Sequence, residues 1–306
     1  MKKISVIPII KGAFSCVFHH PAVLFPFLLY YGLCGLVLVW IFQRFDKFLT
    51  ITNTAYPPFE EIISMMNFIF AVIGLMILLL FLFPLVEGWT FAILKNAYQN
   101  EPIDMRGTLK RGIRRYPGMV VITFILLIAS SVASLVATPL LFVSMMSAIP
   151  ESMPAQGESF YQPPTFMFPE IFIIYGIMFI IMLLIYTVFI YLKPVYIMGD
   201  DSLSQSLKGG IAMGKNQYIP TFLLVLFFMV IQVAIFVIGM TLPVLANIID
   251  MDIPAQLEDP SLFFQSATPL IVIGLIAYLI SVVINAVFYA AIARAYLDVQ
   301  ETIVEQ

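Results

Sequence analysis

Glu87 is an acid set in an apolar run. "FPLVEGWTF" places it between Val86 and Gly88, eight positions before Lys95, which is about 12 Å deeper along a continuous helix. A carboxylate at that depth carries a proton, holds a cation or accepts a hydrogen bond from a neighbouring helix. Burial favours its neutral, hydrogen-bonded form. Gln232 and Asn285 are further polar candidates inside apolar runs, with Ser281 as a weaker one. Such groups commonly make one interhelical hydrogen bond, worth about 0.6 kcal/mol on average.

Two other constellations carry chemistry-bearing atoms. "CVFHH" offers Cys16, His19 and His20 as soft ligands within five residues. A zinc site needs further ligands, and no second cluster follows, so an interfacial histidine pair beside Pro21 is the reading. "GDDS" pairs Asp200 with Asp201 immediately before Ser202. Acids at a helix N-terminus answer the helix dipole and need no metal. The chain has no Gly-rich phosphate loop, H-E-x-x-H, G-x-S-x-G or CxxC pair. Its residues therefore call for no catalytic role and no cofactor. The two cysteines, Cys16 and Cys34, form no disulfide framework.

The elements that position these residues lie in a bilayer. The 306 residues are 61% hydrophobic and 11% charged, with a mean hydropathy of +1.02. A water-soluble fold usually carries about 25% charged residues and could not hide this much apolar surface. A net charge of −3 leaves no footprint for nucleic acid. "MKK" resembles the start of a signal peptide, but Lys11 and the histidines interrupt the apolar run and no cleavage site follows, so the segment is expected to be retained.

A stretch of about 20 apolar residues crosses a bilayer as a helix. Six qualify: Val23–Phe42, Ile62–Val86, Met119–Val143, Ile171–Leu192, Tyr218–Ala246 and Leu270–Ala293. With the N-terminus inside, only Arg44 and Lys47 of the 15 Lys and Arg residues fall in outer segments. The positive-inside rule then places both termini in the cytoplasm of a plasma membrane.

The same phrase recurs at intervals of about 100 residues, on Lys11, Lys110 and Lys208. A Gly follows each (Gly12, Gly112, Gly209) and a Pro comes later (Pro21, Pro117, Pro220). Ser5, Asp104 and Ser202 stand upstream as N-caps, and Ser202 with Gln205 completes a capping box. Each phrase predicts a short amphipathic helix, a Pro-marked bend and a span. The even spans end in "KNAY", "KPVY" and "ARAY", whose Tyr98, Tyr196 and Tyr296 suit the headgroup level. Counting back from those tyrosines pairs Glu87 with Ile185 and Asn285.

The expected fold is thus all-α: one membrane domain of six transmembrane helices in three parallel repeats, approximately 1–100, 101–198 and 199–306. A cytoplasmic amphipathic helix precedes each odd span. The repeat differs from that of the mitochondrial carriers, which place P-x-[DE]-x-x-[KR] on the odd helices.

The middle amphipathic helix is the most basic. Arg106, Lys110, Arg111, Arg114 and Arg115 are its candidate headgroup-binding residues, each cation near an anionic leaflet contributing about 1 kcal/mol. "KGAF", "HHPAVLFPFLL" and "SLSQSLKGGIAMGKNQY" resemble a set of uncharacterised prokaryotic six-helix membrane proteins. The set includes the membrane domain fused to some glycerophosphodiester phosphodiesterases. The resemblance implies a six-helix membrane domain and supplies no catalytic residues. The catalytic barrel of those enzymes, about 250 residues, has no room in this chain.

The expected function is a membrane protein without catalytic activity that organises lipid, a protein partner or a second copy of itself. The alternatives are a transporter or channel for a lipid-like substrate, with a path near Glu87, Gln232 and Asn285, and a membrane enzyme of lipid metabolism.

Overall fold

A computed structural model describes residues 4–52, 59–147, 168–199, 201–250 and 260–304. The Pro-rich outer loops and Asp200 lie outside the described residues. Every regular element within them is helical. The order is α1 (Val6–His19), a 3-10 turn (Pro21–Leu24), α2 (Phe25–Thr52), α3 (Phe59–Tyr98), α4 (Met105–Ser147), α5 (Phe168–Phe189), α6 (Leu192–Met198), α7 (Leu203–Asn216), α8 (Tyr218–Asp250) and α9 (Pro260–Val304). Among the described residues six stretches are long and apolar enough to cross a membrane: Pro21–Ile41, Ile62–Tyr98, Met105–Ser131, Gly176–Met198, Tyr218–Ile235 and Leu275–Gln300. The chain fits a multi-pass membrane protein.

The caps follow local chemistry. Ser202 and Gln205 form the full capping box at the start of α7. Asp104 accepts from the backbone N–H groups of Arg106 and Gly107, both at 3.0 Å, and so caps α4. Ser5 precedes α1 without a side-chain cap bond. Helix α3 ends in a Schellman motif: Glu101 N–H donates to Asn96 C=O at 2.9 Å, Asn100 N–H to Ala97 C=O at 3.4 Å, and Asn100 takes φ 54°. The Pro-marked breaks occur at Pro21 and just before Pro220. At Pro117 there is no break, and α4 runs through as one helix.

Burial concentrates at one end of the bundle. The C-terminal parts of α3, α5–α6 and α9 supply most of it, through residues such as Phe91, Leu94, Leu183, Ile197, Ala290 and Ile292. These three even-numbered spans touch one another there. Around them the short helices form a collar. Helix α1 packs against α9, the first turns of α4 against α3, and α7 against α5 and α6. The collar closes where the Ile4 N–H donates to Gln217 Oε1 at 3.3 Å, joining the chain start to the α7–α8 junction. Along the remaining lengths the helices expose apolar side chains, among them Met66, Phe70, Ile73, Ile77, Ile128 and Val230, as lipid-facing surfaces require.

Close approach in the collar depends on small residues, as helix contacts in lipid generally do. A Cβ on Gly112 would lie 3.1 Å from Trp89 N. One on Gly210 would lie 2.9 Å from Leu192 Cα, and one on Gly214 only 2.1 Å from the Val188 carbonyl oxygen. Ala13, fully buried, occupies the position of Gly112 and Gly210 in the first phrase. The packing position is therefore two residues after each Lys, so Gly12, with nothing within 4 Å, and Gly209 are not the packing residues.

The terminal tyrosines also depart from expectation. Tyr196 and Tyr296 are 8% and 6% exposed, buried in the bundle instead of forming an interfacial belt. The Tyr196 ring fills the space a Cβ of Gly118 would need. Replacing Gly214 by Ala should destabilise the protein by about 1–3 kcal/mol, the usual penalty of overpacking. Gly12→Ala, in open space, should be neutral or slightly stabilising. Thermal unfolding of the two variants in mild detergent measures the difference, and equal melting temperatures would contradict the packing role of Gly214.

Candidate functional site: a buried ion pair joining the even spans

Glu87 lies on α3 within the buried end and is 1% exposed. Its carboxylate is met by Lys193 from α6, whose Nζ donates to Oε1 and Oε2 at 2.6 Å each. Tyr289 from α9 donates its hydroxyl to Oε1. One carboxylate thus collects a cation and a hydroxyl from the two other even spans. Lys193 is itself buried, and its Nζ lies 5.8 Å from the centre of the Phe83 ring. The Tyr289 ring sits among Phe27 at 5.2 Å, Phe91 at 5.3 Å and Phe288 at 5.9 Å, centroid to centroid. The polar centre is walled by aromatics.

Local breaks aim these side chains. The fourth span is interrupted at Ile190–Tyr191, between α5 and α6. The cause is Pro194, which has no N–H for the Ile190 carbonyl and whose ring clashes with it. Lys193 stands immediately before that proline. The interruption is anchored by the Tyr191 hydroxyl, 2.9 Å from Thr221 Oγ1 on α8. Pro84 lies inside α3, three residues before Glu87, and leaves the Leu80 carbonyl without its helical donor. Tyrosines reach carbonyls beside it: Tyr116 donates to Phe81 at 2.9 Å and Tyr30 to Leu79 at 3.4 Å. Next to Glu87, Gly88 brings α3 close to α4 and α6. Trp89 donates its indole N–H to Thr108 of α4 at 3.2 Å and stacks edge-on against Phe25 of α2.

The other candidates are placed elsewhere. The Asn285 amide donates to the Tyr31 hydroxyl and to the Ser281 carbonyl, both at 2.9 Å. It makes an interhelical bond between α9 and α2 and is not a member of the Glu87 cluster. Gln232 is half-buried on α8. Arg106, Lys110 and Arg114 form an exposed stripe on the first turns of α4, together with Ile113 at 55% exposure. Arg111 is half-buried, and Arg115 turns inward. Its Nη1 donates to the Asp201 carbonyl at 2.8 Å, and the guanidinium lies 4.9 Å from the centre of the Tyr196 ring.

The "CVFHH" residues lie on and just after α1. His19 Nδ1 donates to the Ser15 carbonyl at 2.8 Å. Burial pushes the Cys16 thiol above its ordinary range, opposed by contact with Tyr98 and by the charge of Arg294. A thiol held protonated is a poor nucleophile and a poor metal ligand. Among the described residues no group of three or more His, Cys, Asp or Glu is placed to hold a metal ion.

Sequence reasoning singled out Glu87 but missed both of its partners. Lys193 reads as one more positive-inside cation at a helix end, and Tyr289 as one more aromatic. A signal for Lys193 was present: the apolar run continues past "KP" to Ile197 and Met198, which places the lysine inside the span. Comparison with protein-family models, with curated proteins and with solved structures found no match.

Removing one partner of a buried ion pair typically costs about 3–5 kcal/mol, because the other charge is left uncompensated. Lys193→Met and Glu87→Gln should each destabilise by roughly that amount. The double variant should be more stable than Lys193→Met alone. Denaturant unfolding in detergent of the four proteins in this cycle checks the coupling, and strictly additive losses would exclude it.

Proposed function

We propose that the protein is an integral membrane protein that works without catalysis, as a rigid platform organising lipid or a protein partner at the cytoplasmic face of a plasma membrane. The observation that carries this reading is the closed environment of Glu87. The most suggestive intramembrane acid of the sequence is occupied by Lys193 and Tyr289 and enclosed by rings, so it serves to hold helices together. A transported ion or proton would need water at that carboxylate.

In this reading the chain is built from three parallel units about an axis along the membrane normal. The cyclic packing supports it: each collar helix lies against the even span of the preceding unit, and α1 of the first unit lies against α9 of the last. The collar faces the cytoplasm, where the positive-inside bias puts it. Its outward stripe of Arg106, Lys110 and Arg114, with the apolar Ile113 among them, suits anionic headgroups or an acidic partner surface.

A second reading, passage of a lipid-like substrate, has one observation in its favour. An apolar groove between α3 and α4 is lined by Leu80, Pro84, Phe124 and Leu127.

Cysteine accessibility tests the platform reading against an aqueous path. With Cys16 and Cys34 replaced, single cysteines at Thr90, Asn285 and Arg106 are challenged in native membranes with an impermeant thiol reagent from either side. The platform reading expects protection at 90 and 285 from both sides and labelling at 106 from the cytoplasmic side alone. Rapid labelling at 90 or 285 would mean an aqueous path and would overturn it.

A further inference from the structure

At the collar end, α1 does not close fully against the ends of α3 and α9. An open cleft of about 660 Å³ remains, within the size range of small-molecule sites. Its lining includes Ser15, His19, His20, Tyr98, Arg294 and Asp298. It lies apart from the Glu87 centre and from the exposed stripe of α4.

The charges in the cleft balance. Arg294 Nε meets Asp298 Oδ1 at 2.9 Å, and these side chains are 39% and 35% exposed. Apart from the two histidines, the described lining carries one cation and one carboxylate. A purely anionic ligand would meet Asp298, and a purely cationic one would meet Arg294. A ligand bearing both charges, a few bonds apart, satisfies both.

The donors and acceptors are arranged for such a ligand. The guanidinium uses Nε towards Asp298, and its terminal nitrogens suit the two oxygens of a phosphodiester. The guanidinium is further held 5.8 Å from the centre of the Tyr98 ring, and Tyr98 is anchored by its hydroxyl on the Ala290 carbonyl at 2.9 Å. His19 Nδ1 lies 2.8 Å from the Ser15 carbonyl oxygen and 3.3 Å from Ser15 Oγ, which ties the ring to α1. The Asp298 carboxylate suits a primary ammonium, which donates three hydrogen bonds. A quaternary ammonium donates none.

The setting points to a lipid source. The outward side of α1 carries Ile7 and Phe18, 68% and 71% exposed, with Phe14 stacked on Phe18. A helix with that face lies in the interface plane, at the level of headgroups.

We propose that the cleft between α1, α3 and α9 binds a phosphoethanolamine headgroup, its phosphodiester on Arg294 and its ammonium on Asp298. The assignment stands on the cleft alone and does not require the α4 stripe to bind anything.

The test uses the full chain, purified in detergent and offered an equimolar mixture of phosphatidylethanolamine, phosphatidylglycerol and phosphatidylcholine with identical acyl chains. Native mass spectrometry reads which lipid is retained. The wild type should retain phosphatidylethanolamine about tenfold over either competitor. Asp298→Asn leaves Arg294 unbalanced and should reverse the preference towards phosphatidylglycerol, a gain that a misfolded variant could not give. Arg294→Gln should lose retention, and Arg294→Lys should recover part of it. Equal retention of the three lipids by the wild type, or an Asp298→Asn variant that keeps the original preference, would overturn the proposal. Adding water-soluble glycerophosphoethanolamine distinguishes the sources of the headgroup. Displacement at an equal concentration assigns the cleft to the soluble molecule, and resistance assigns it to the lipid.

Discussion

A carboxylate in hydrocarbon has no water to turn to, and that constraint organises this protein. Every polar group at such depth must be satisfied from within. Glu87 is satisfied by the two even spans it does not belong to, through Lys193 and Tyr289. Because the three partners come from three different helices, the interaction fixes the mutual position of all three at once. A pair on neighbouring turns of one helix could not do this. The net contribution of a buried ion pair to stability is small or even unfavourable beside an apolar replacement. Its effect here is on specificity: alternative packings of the even spans would strand a charge in the lipid.

The rest of the bundle serves that geometry. Pro194 breaks the fourth span at Ile190–Tyr191, just before the short helix that carries Lys193. Outside the centre, apolar side chains gain little by leaving lipid for one another, so contact comes from shape. Gly112, Gly210 and Gly214 let the collar helices lie almost backbone to backbone on the even spans. Collar and centre meet on the same short lengths of α3, α6 and α9. That end is densely buried, and the opposite lengths of the helices present apolar side chains outward.

Much of this was legible in the sequence because the physics is local. Six spans follow from the length of apolar runs, and the capping box from Ser202 and Gln205 three residues apart. Glu87 was visible because a lone acid in an apolar run is rare. What was not legible is long-range. Lys193 is 106 positions from Glu87 and Tyr289 is 202, and no local pattern announces such pairs. Position-by-position symmetry misled in one place: it matched Asn285 to Glu87, whereas Asn285 bonds Tyr31 and the seventh residue of the same interval, Tyr289, reaches the carboxylate. The terminal tyrosines read as an interfacial belt because composition cannot tell a tyrosine facing headgroups from one packed on Gly118. Pro117 does not interrupt its helix as Pro194 does: α4, packed on α3 and α5, continues through it.

The central claim is that Glu87 is a water-excluded carboxylate paired with Lys193, not the neutral, hydrogen-bonded acid that burial alone favours. Infrared difference spectroscopy on the reconstituted protein, wild type against Glu87→Gln, addresses it directly. The account predicts that the wild type loses a carboxylate band, not a carboxylic-acid band, on this substitution, and that the band is unmoved by brief exposure to heavy water. A protonated carbonyl band at Glu87, or a carboxylate band that shifts at once in heavy water, would contradict it.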